Sequence, residues 1–213
     1  MRVERVVLIR HGETDWSRAR RHTGRTDLPL DAEGCRQAAT LRSALAVRDG
    51  TATAVFTSPL RRARETAELA GFGSAARVLD DLLEWDYGNF EGRTTAEIRA
   101  ERPGWSASAT AGATASPTAR STWSVWTGPI PGGESLAEVG ARADAVIERI
   151  LPIGGEVLLF SHAHLLRVLA ARWCGLPPIE GRRLHLSTAS VSVLGWERDD
   201  AGIEQWNHVP GTP

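Results

Sequence analysis

Apolar and polar positions change period along the chain, and the changes mark out the elements. Val6-Val7-Leu8-Ile9 is a continuous apolar run with β-branched Val6, Val7 and Ile9, which predicts a short buried strand ending at Arg10-His11-Gly12. Ala38, Leu41 and Leu45 recur at helical spacing after Asp31, predicting a helix from an Asp31 N-cap to about Arg48. Ala54-Val55-Phe56-Thr57 reads as a second strand. Ser58-Pro59 then predicts a helix with Ser58 as N-cap and Pro59 at its first position, closed by Gly71. Arg77-Val78-Leu79 is a weak strand, and Thr94 with Glu97 forms a capping box for a short helix. Ser135 and Glu138 make a second capping box, opening a helix whose buried face is Leu136, Val139, Ala143, Val146, Ile147 and Ile150. Glu156–Phe160 is the strongest strand pattern and leads through Ser161-His162-Ala163-His164 into a helix over Leu165–Cys174, capped by Gly175. Ala189–Trp196 alternates as a strand, with Ile203–Trp206 as hairpin partner across a turn at Asp199–Gly202. Strands alternating with helices predict one three-layer α/β/α domain over residues 1–213, a mostly parallel sheet with helices on both faces. The Ala/Ser/Thr-rich stretch Ser106–Thr122 interrupts the pattern and reads as a flexible insertion at about 104–127.

Composition narrows the function classes. Among 213 residues, 42% hydrophobic and 24% charged, the net charge is −1, so no global field draws the chain to nucleic acid or membrane. All 25 basic residues are arginine, which excludes lysine Schiff-base chemistry and a P-loop lysine. Cys35 and Cys174 stand far apart in no motif and suit buried thiols in a reducing compartment. The N-terminal apolar run is too short for a signal peptide or membrane span, so the expectation is a cytoplasmic enzyme.

In open α/β sheets ligands sit beyond the carboxyl ends of strands. Arg10 and His11 therefore stand where a phosphate-sized anion would lie. The loop Asp15–Arg25 follows with Arg18, Arg20, Arg21, His22 and Arg25, either a solvated loop or, given its position, a cationic wall. Arg61, Arg62 and Arg64 near a helix start oppose the macrodipole, a local cost that suggests anion binding. Glu84, Asp86 and Glu91 lie among Trp85, Tyr87 and Phe90 and are general-acid candidates, while the aromatic residues also suit core packing. His162 and His164 could form a metal pair, but no third ligand stands at zinc-like spacing.

Four ordered segments together resemble the histidine phosphatase superfamily, the phosphoglycerate-mutase-like group. They are Arg10-His11-Gly12-Glu13-Thr14, Ser58–Ala67, Glu84 within Leu83–Gly92, and Ser161-His162-Ala163. The resemblance implies that His11 is the nucleophile that becomes phosphohistidine, that Arg10, Arg62 and His162 bind phosphate, and that Glu84 donates the proton. It implies substrate contacts at Thr14, Ser17, Thr23, Gly24, Trp85, Tyr87 and Ala163, and neither metal nor cofactor. Glu84–Gly88, Gly132–Ser135 and His162–His164 further resemble the sugar-phosphatase, sedoheptulose-bisphosphatase-type branch. Mutases of the group usually carry asparagine where Ser17 stands, a different run at Glu84–Tyr87, and a lysine and an arginine pair where this insertion holds Arg120 alone.

The chemistry expected is a metal-independent phosphomonoesterase acting through phosphohistidine on small phosphorylated metabolites, sugar phosphates by preference. Its partner is the small substrate, with no nucleic acid or membrane, and assembly into a homo-oligomer stays open. The alternatives are a cofactor-dependent phosphoglycerate mutase and a non-catalytic phosphate-binding regulatory module. On the enzyme reading His11 is neutral with its second nitrogen donating to a main-chain carbonyl, a protonated His162 adds a phosphate donor, and Glu84 starts protonated.

Overall fold

Val6, Val7, Leu8 and Ile9 lie in the middle of strand β1 (Val3–Arg10), fully buried on both faces, which is why they read as an unbroken apolar run. A computed structural model describes residues 2–46, 52–101 and 123–211. β1 is flanked by β4 (Gly155–Ser161) and β5 (Val191–Glu197) in a six-stranded sheet of order β3-β2-β4-β1-β5-β6. β2 (Ala52–Thr57), β3 (Ala76–Val78), β4 and β1 run parallel; β5 is antiparallel to β1, and β6 (Asp200–His208) is antiparallel to β5.

Helices cover both faces. Val7 and Ile9 pack with Leu41 and Leu45 of α2 (Ala32–Leu45) and Ala67 of α3 (Arg61–Leu69). Val6 and Leu8 face the opposite cluster, built from α5 (Leu136–Ile150) and α6 (Ala163–Trp173). Each such buried aliphatic side chain contributes about 1.5–3 kcal/mol of transfer free energy. Two short helices, α1 (Asp15–Arg18) and α4 (Thr95–Glu101), complete the set described. The predicted caps at Asp31, Thr94 and Ser135 are present, accepting from Gly34, Glu97 and Glu138 N–H respectively.

The sheet register sets the site. Arg10 pairs with Ser161 and Thr57 with Phe160, so β1, β2 and β4 end side by side. Main-chain bonds continue past the strands, from His11 N–H to Ser161 O at 3.0 Å and from Ser58 N–H to Phe160 O at 2.9 Å. His11, Ser58 and His162 thereby meet at one edge.

Several expectations are corrected. Ser58 is not a helix cap: α3 starts at Arg61, whose N–H donates to Asp27 Oδ1 at 2.6 Å, and Leu60 occupies the cap position. α2 is described as Ala32–Leu45, and Arg48, the expected end, lies outside the described residues. β5 starts at Val191 because Ala189 turns out of the strand at φ +50° and donates its N–H to His11 O. The hairpin turn is Arg198-Asp199, since Glu197 already pairs with Asp200. Cys35 is exposed and Cys174 partly buried, so the thiols are not both buried, though both are free. Of the expected insertion at 104–127, residues up to 122 lie outside the described residues; Trp123, within its last five positions, is buried, its ring 5.1 Å from that of Phe90.

Candidate active site

His11 follows the end of β1 and is 6% exposed. Its Nδ1 lies 2.6 Å from the carbonyl oxygen of Gly12, which can only accept, so Nδ1 carries the proton and Nε2 keeps its lone pair. Burial, then the charges of Arg62 and Arg10, hold the ring well below the usual histidine range, so it is neutral at pH 7. Gly12 is required here: a Cβ would sit 2.4 Å from Gly34 O, so only glycine lets the strand end pass α2.

Arg10 donates through Nη1 to Leu186 O at 2.6 Å, and its buried Nε has no hydrogen-bond partner. Burial pushes its guanidinium down to about 10, with Glu84 opposing the shift.

Arg62, fully buried in the first turn of α3, donates to His162 Nδ1 (3.1 Å) and to the carbonyls of Thr26 (2.9 Å), Thr23 (3.1 Å) and Gly24 (2.9 Å). These bonds leave a single Nη1 hydrogen uncommitted. The macrodipole cost of an arginine at this point is offset by a scaffold that ties α3 to the Thr23–Thr26 loop.

His162 differs from the sequence expectation. Its Nδ1 accepts from Arg62, so the ring proton is on Nε2, which donates to Ser58 Oγ at 2.8 Å. With burial and Arg62 both disfavouring charge, the ring is neutral, not the protonated donor expected. The two histidine rings stand 5.2 Å apart, centroid to centroid.

Three carboxylates competed in the sequence, and the geometry ranks them. Glu84 is 4% exposed and lines the cleft. Its Oε1 accepts from Trp85 and Leu165 N–H, both at 2.9 Å, and its Oε2 from His164 N–H at 3.1 Å, at the N-terminus of α6. Glu91 instead holds the Thr23–Thr26 loop, accepting from Gly24 N–H (2.7 Å) and Thr26 N–H (3.2 Å). Asp86 accepts from Gly88 N–H and pairs with Arg25. Neither lines the cleft.

The cleft, about 180 Å³, is lined by Arg10, His11, Ser17, Arg20, Arg21, His22, Thr23, Glu84, Tyr87, Ala163 and His164. Of the residues expected to contact substrate, Ser17, Thr23, Tyr87 and Ala163 line this cleft. Thr14, Gly24 and Trp85 do not line it. Thr14 is buried as the cap of α1, accepting from Ser17 N–H. Gly24 spends its main chain on Arg62 and Glu91. Trp85 is fully buried, donates Nε1–H to Glu134 O at 2.8 Å, and borders a separate hollow of about 430 Å³ beside Trp126 and Leu136.

The cationic wall is thinner than its arginine count. Arg18 pairs with Asp15 and Asp31, and Arg25 with Asp86 and Glu134.

The sequence reading missed four supports. Ser58 Oγ accepts the Nε2–H of His162, whose tautomer Arg62 sets. His164 Nδ1 meets the Tyr87 hydroxyl at 2.6 Å. Arg142 donates to the carbonyls of Asp81, Leu83 and Glu84, and to Glu134. Burial opposes charge on Glu134, but hydrogen bonds from Arg142 and Asp86 N–H hold it below its usual value. The Glu134 signal was visible in Gly132-Gly133-Glu134-Ser135; Arg142 sits on a regular helix and carries none. Neither His162 nor His164 is presented as half of a metal pair, and among the described residues no three His, Cys, Asp or Glu side chains group to hold an ion.

Residues 6–209 match the histidine phosphatase superfamily, branch 1. The chain belongs to this superfamily. An acid phosphatase of Mycobacterium tuberculosis is 38% identical over 207 residues, covering 96% of this chain and 91% of the relative. The sedoheptulose 1,7-bisphosphatase of Saccharomyces cerevisiae is 31% identical over 203 residues, covering 81% and 68%. A probable phosphoglycerate mutase of Yersinia enterocolitica is 34% identical over 205 residues, covering 94% and 89%. Among solved structures, the product of an open reading frame of Mycobacterium tuberculosis superposes with a TM-score of 0.82 at 35% identity, covering 97% and 98%. The chain is thus a histidine phosphatase with the three-layer α/β architecture of its group. No helix among the described residues is long and apolar enough to cross a membrane.

Proposed function

We propose that this phosphatase is a metal-independent phosphomonoesterase that passes the phosphoryl group of a small sugar phosphate through His11 to water. The observation that carries the reading is the His11 tautomer: Nδ1–H is committed to Gly12 O, and Nε2 keeps its lone pair in a cleft shared with Glu84. In the first half-reaction the Nε2 lone pair forms the N–P bond while the P–O bond to the leaving group breaks. Glu84 supplies the proton that the leaving oxygen takes. Its Oε1 already accepts two N–H groups and its Oε2 only one, so Oε2 has room for that proton. In the second, water attacks phosphohistidine, its proton goes to Glu84, and inorganic phosphate leaves with His11 neutral again. The buried Nε of Arg10 and the remaining Nη1 hydrogen of Arg62 serve the phosphate oxygens, whose charge spreads in the transition state.

Hydrolysis is favoured over isomerisation by the absence of lysine, which denies the site one of the cations mutases place over their substrate. The alanine-rich insertion that would act as a loose lid lies outside the described residues. Sugar phosphates are favoured because Tyr87, Ser17 and Thr23 line the cleft, and the hydroxyls of Ser17 and Thr23, which donate to Thr14 O and Arg21 O, keep lone pairs that can accept from a polyol chain. The bisphosphatase relative points the same way. A cytoplasmic setting suits such a substrate and two free cysteines. The test is a panel of sugar mono- and bisphosphates, nucleotides and phosphoglycerates, scored for released phosphate and for isomerisation. Phosphate release from sugar phosphates outpacing every isomerisation is expected; phosphoglycerate isomerisation outpacing every hydrolysis would replace this reading with a mutase, and binding without turnover with a regulatory module.

A further inference from the structure

We propose that Arg20 forms a second anion subsite at the mouth of the cleft, favouring substrates that carry a further phosphate or carboxylate away from the scissile phosphate. This rests on the phosphatase reading of the same site. Its basis is the different fate of each arginine in one loop. Arg18 is spent on Asp15 and Asp31, and Arg25 on Asp86 and Glu134. Arg21 is spent on Gly92 O and Glu97. Arg20 is exposed, no carboxylate among the described residues pairs with it, and it lines the same cleft as Arg10 and His11.

Its backbone adds to the case. Arg20 sits at φ +56°, where the chain turns out of α1 with Arg20 N–H on Ser17 O and Arg21 N–H on Trp16 O. Glycine or asparagine fits that conformation with less strain, so an arginine there is placed against local preference.

The charge inventory of the cleft leaves Arg20 a distinct task. Arg10 and Arg62 sit at the His11 end. His11, His22 and His164 are all kept neutral by burial at pH 7 and offer no charge to a distant anion. A cleft of about 180 Å³ holds the scissile phosphate and the first few carbons, so the far end of the substrate emerges at the rim. There Arg20 presents a planar donor fork suited to either anion. Being exposed, the contact is screened by salt and modest in size.

The test compares R20Q and R20K with the unaltered protein on matched pairs: fructose bisphosphate against fructose monophosphate, and phosphogluconate against glucose phosphate, with an aryl phosphate as a reference for folding. R20Q is expected to lower kcat/KM for the member with the second anion roughly twofold to fivefold more than for its partner, chiefly through KM. R20K should recover most of that difference, and about 0.5 M salt should shrink it. A loss in the first pair alone assigns the subsite to phosphate, and in the second alone to carboxylate. Equal effects on both members of each pair, or a difference indifferent to salt, would overturn the proposal. Absence of phosphate release from every substrate, the aryl phosphate included, would instead contradict the phosphatase reading, and the same ratios would then be read from calorimetric Kd values.

Discussion

Arg62 Nε donates to Nδ1 of His162 at 3.1 Å, so a guanidinium dictates which nitrogen of the neighbouring imidazole bears the proton. The same arginine holds three carbonyls of the Thr23–Thr26 loop. Arg62→Ala should therefore cost stability as well as activity, about 3–5 kcal/mol, because buried acceptors are left unpaired. Denaturant unfolding checks this, and Arg62→Lys should recover little of it, since an ammonium cannot span the fork.

Glu84 is tested by leaving group. Glu84→Gln should slow alkyl phosphates about a hundredfold or more, and aryl phosphates far less, because only poor leaving groups need the proton. Glu91→Gln should instead raise KM by loosening the Gly24 and Thr26 main chain, with the leaving-group dependence intact. Equal losses on both substrate types for Glu84→Gln would remove it from the acid role.

The order of the elements and the meeting of strand ends were legible in the sequence. Apolar runs, two capping boxes and histidines after strands all express local physics that survives folding. Ser58 was misread because Ser-Pro is a strong helix-start signal, yet Asp27, distant in sequence, took the capping task and freed the hydroxyl for His162. The His162 charge was misread because its state depends on Arg62, one hundred residues away, and on total burial. Trp85 read as a substrate face because an aromatic residue beside a carboxylate looks alike in a pocket or a core. Glu84, Asp86 and Glu91 could not be ranked without knowing which of them meets the start of α6.

Acid should destabilise the fold through buried neutral histidines. Burial lowers His22 to about 4, so the unfolded chain takes up its proton first as pH falls below about 6.5. Stability from this group is full above pH 6.5 and falls by up to ~1.4 kcal/mol per pH unit down to about pH 4. Urea midpoints against pH should show the slope, and His22→Gln should reduce it.

Neutral His11 should also keep the enzyme active in acid. Since burial and two arginines hold its ring well below the usual histidine range, protonation of the nucleophile should not depress kcat/KM between pH 7 and pH 5.5. An acid limb in kcat/KM near pH 6.5 that coincides with an NMR titration of the His11 ring would contradict this.

The covalent step itself gives the most direct measurement. Protein mixed with a radiolabelled phosphate ester and quenched in alkali, where phosphohistidine survives, should carry label on the peptide containing His11, up to one phosphoryl group per chain. His11→Ala should carry none and release no phosphate. Turnover by His11→Ala, or label on any residue other than His11, would contradict the account.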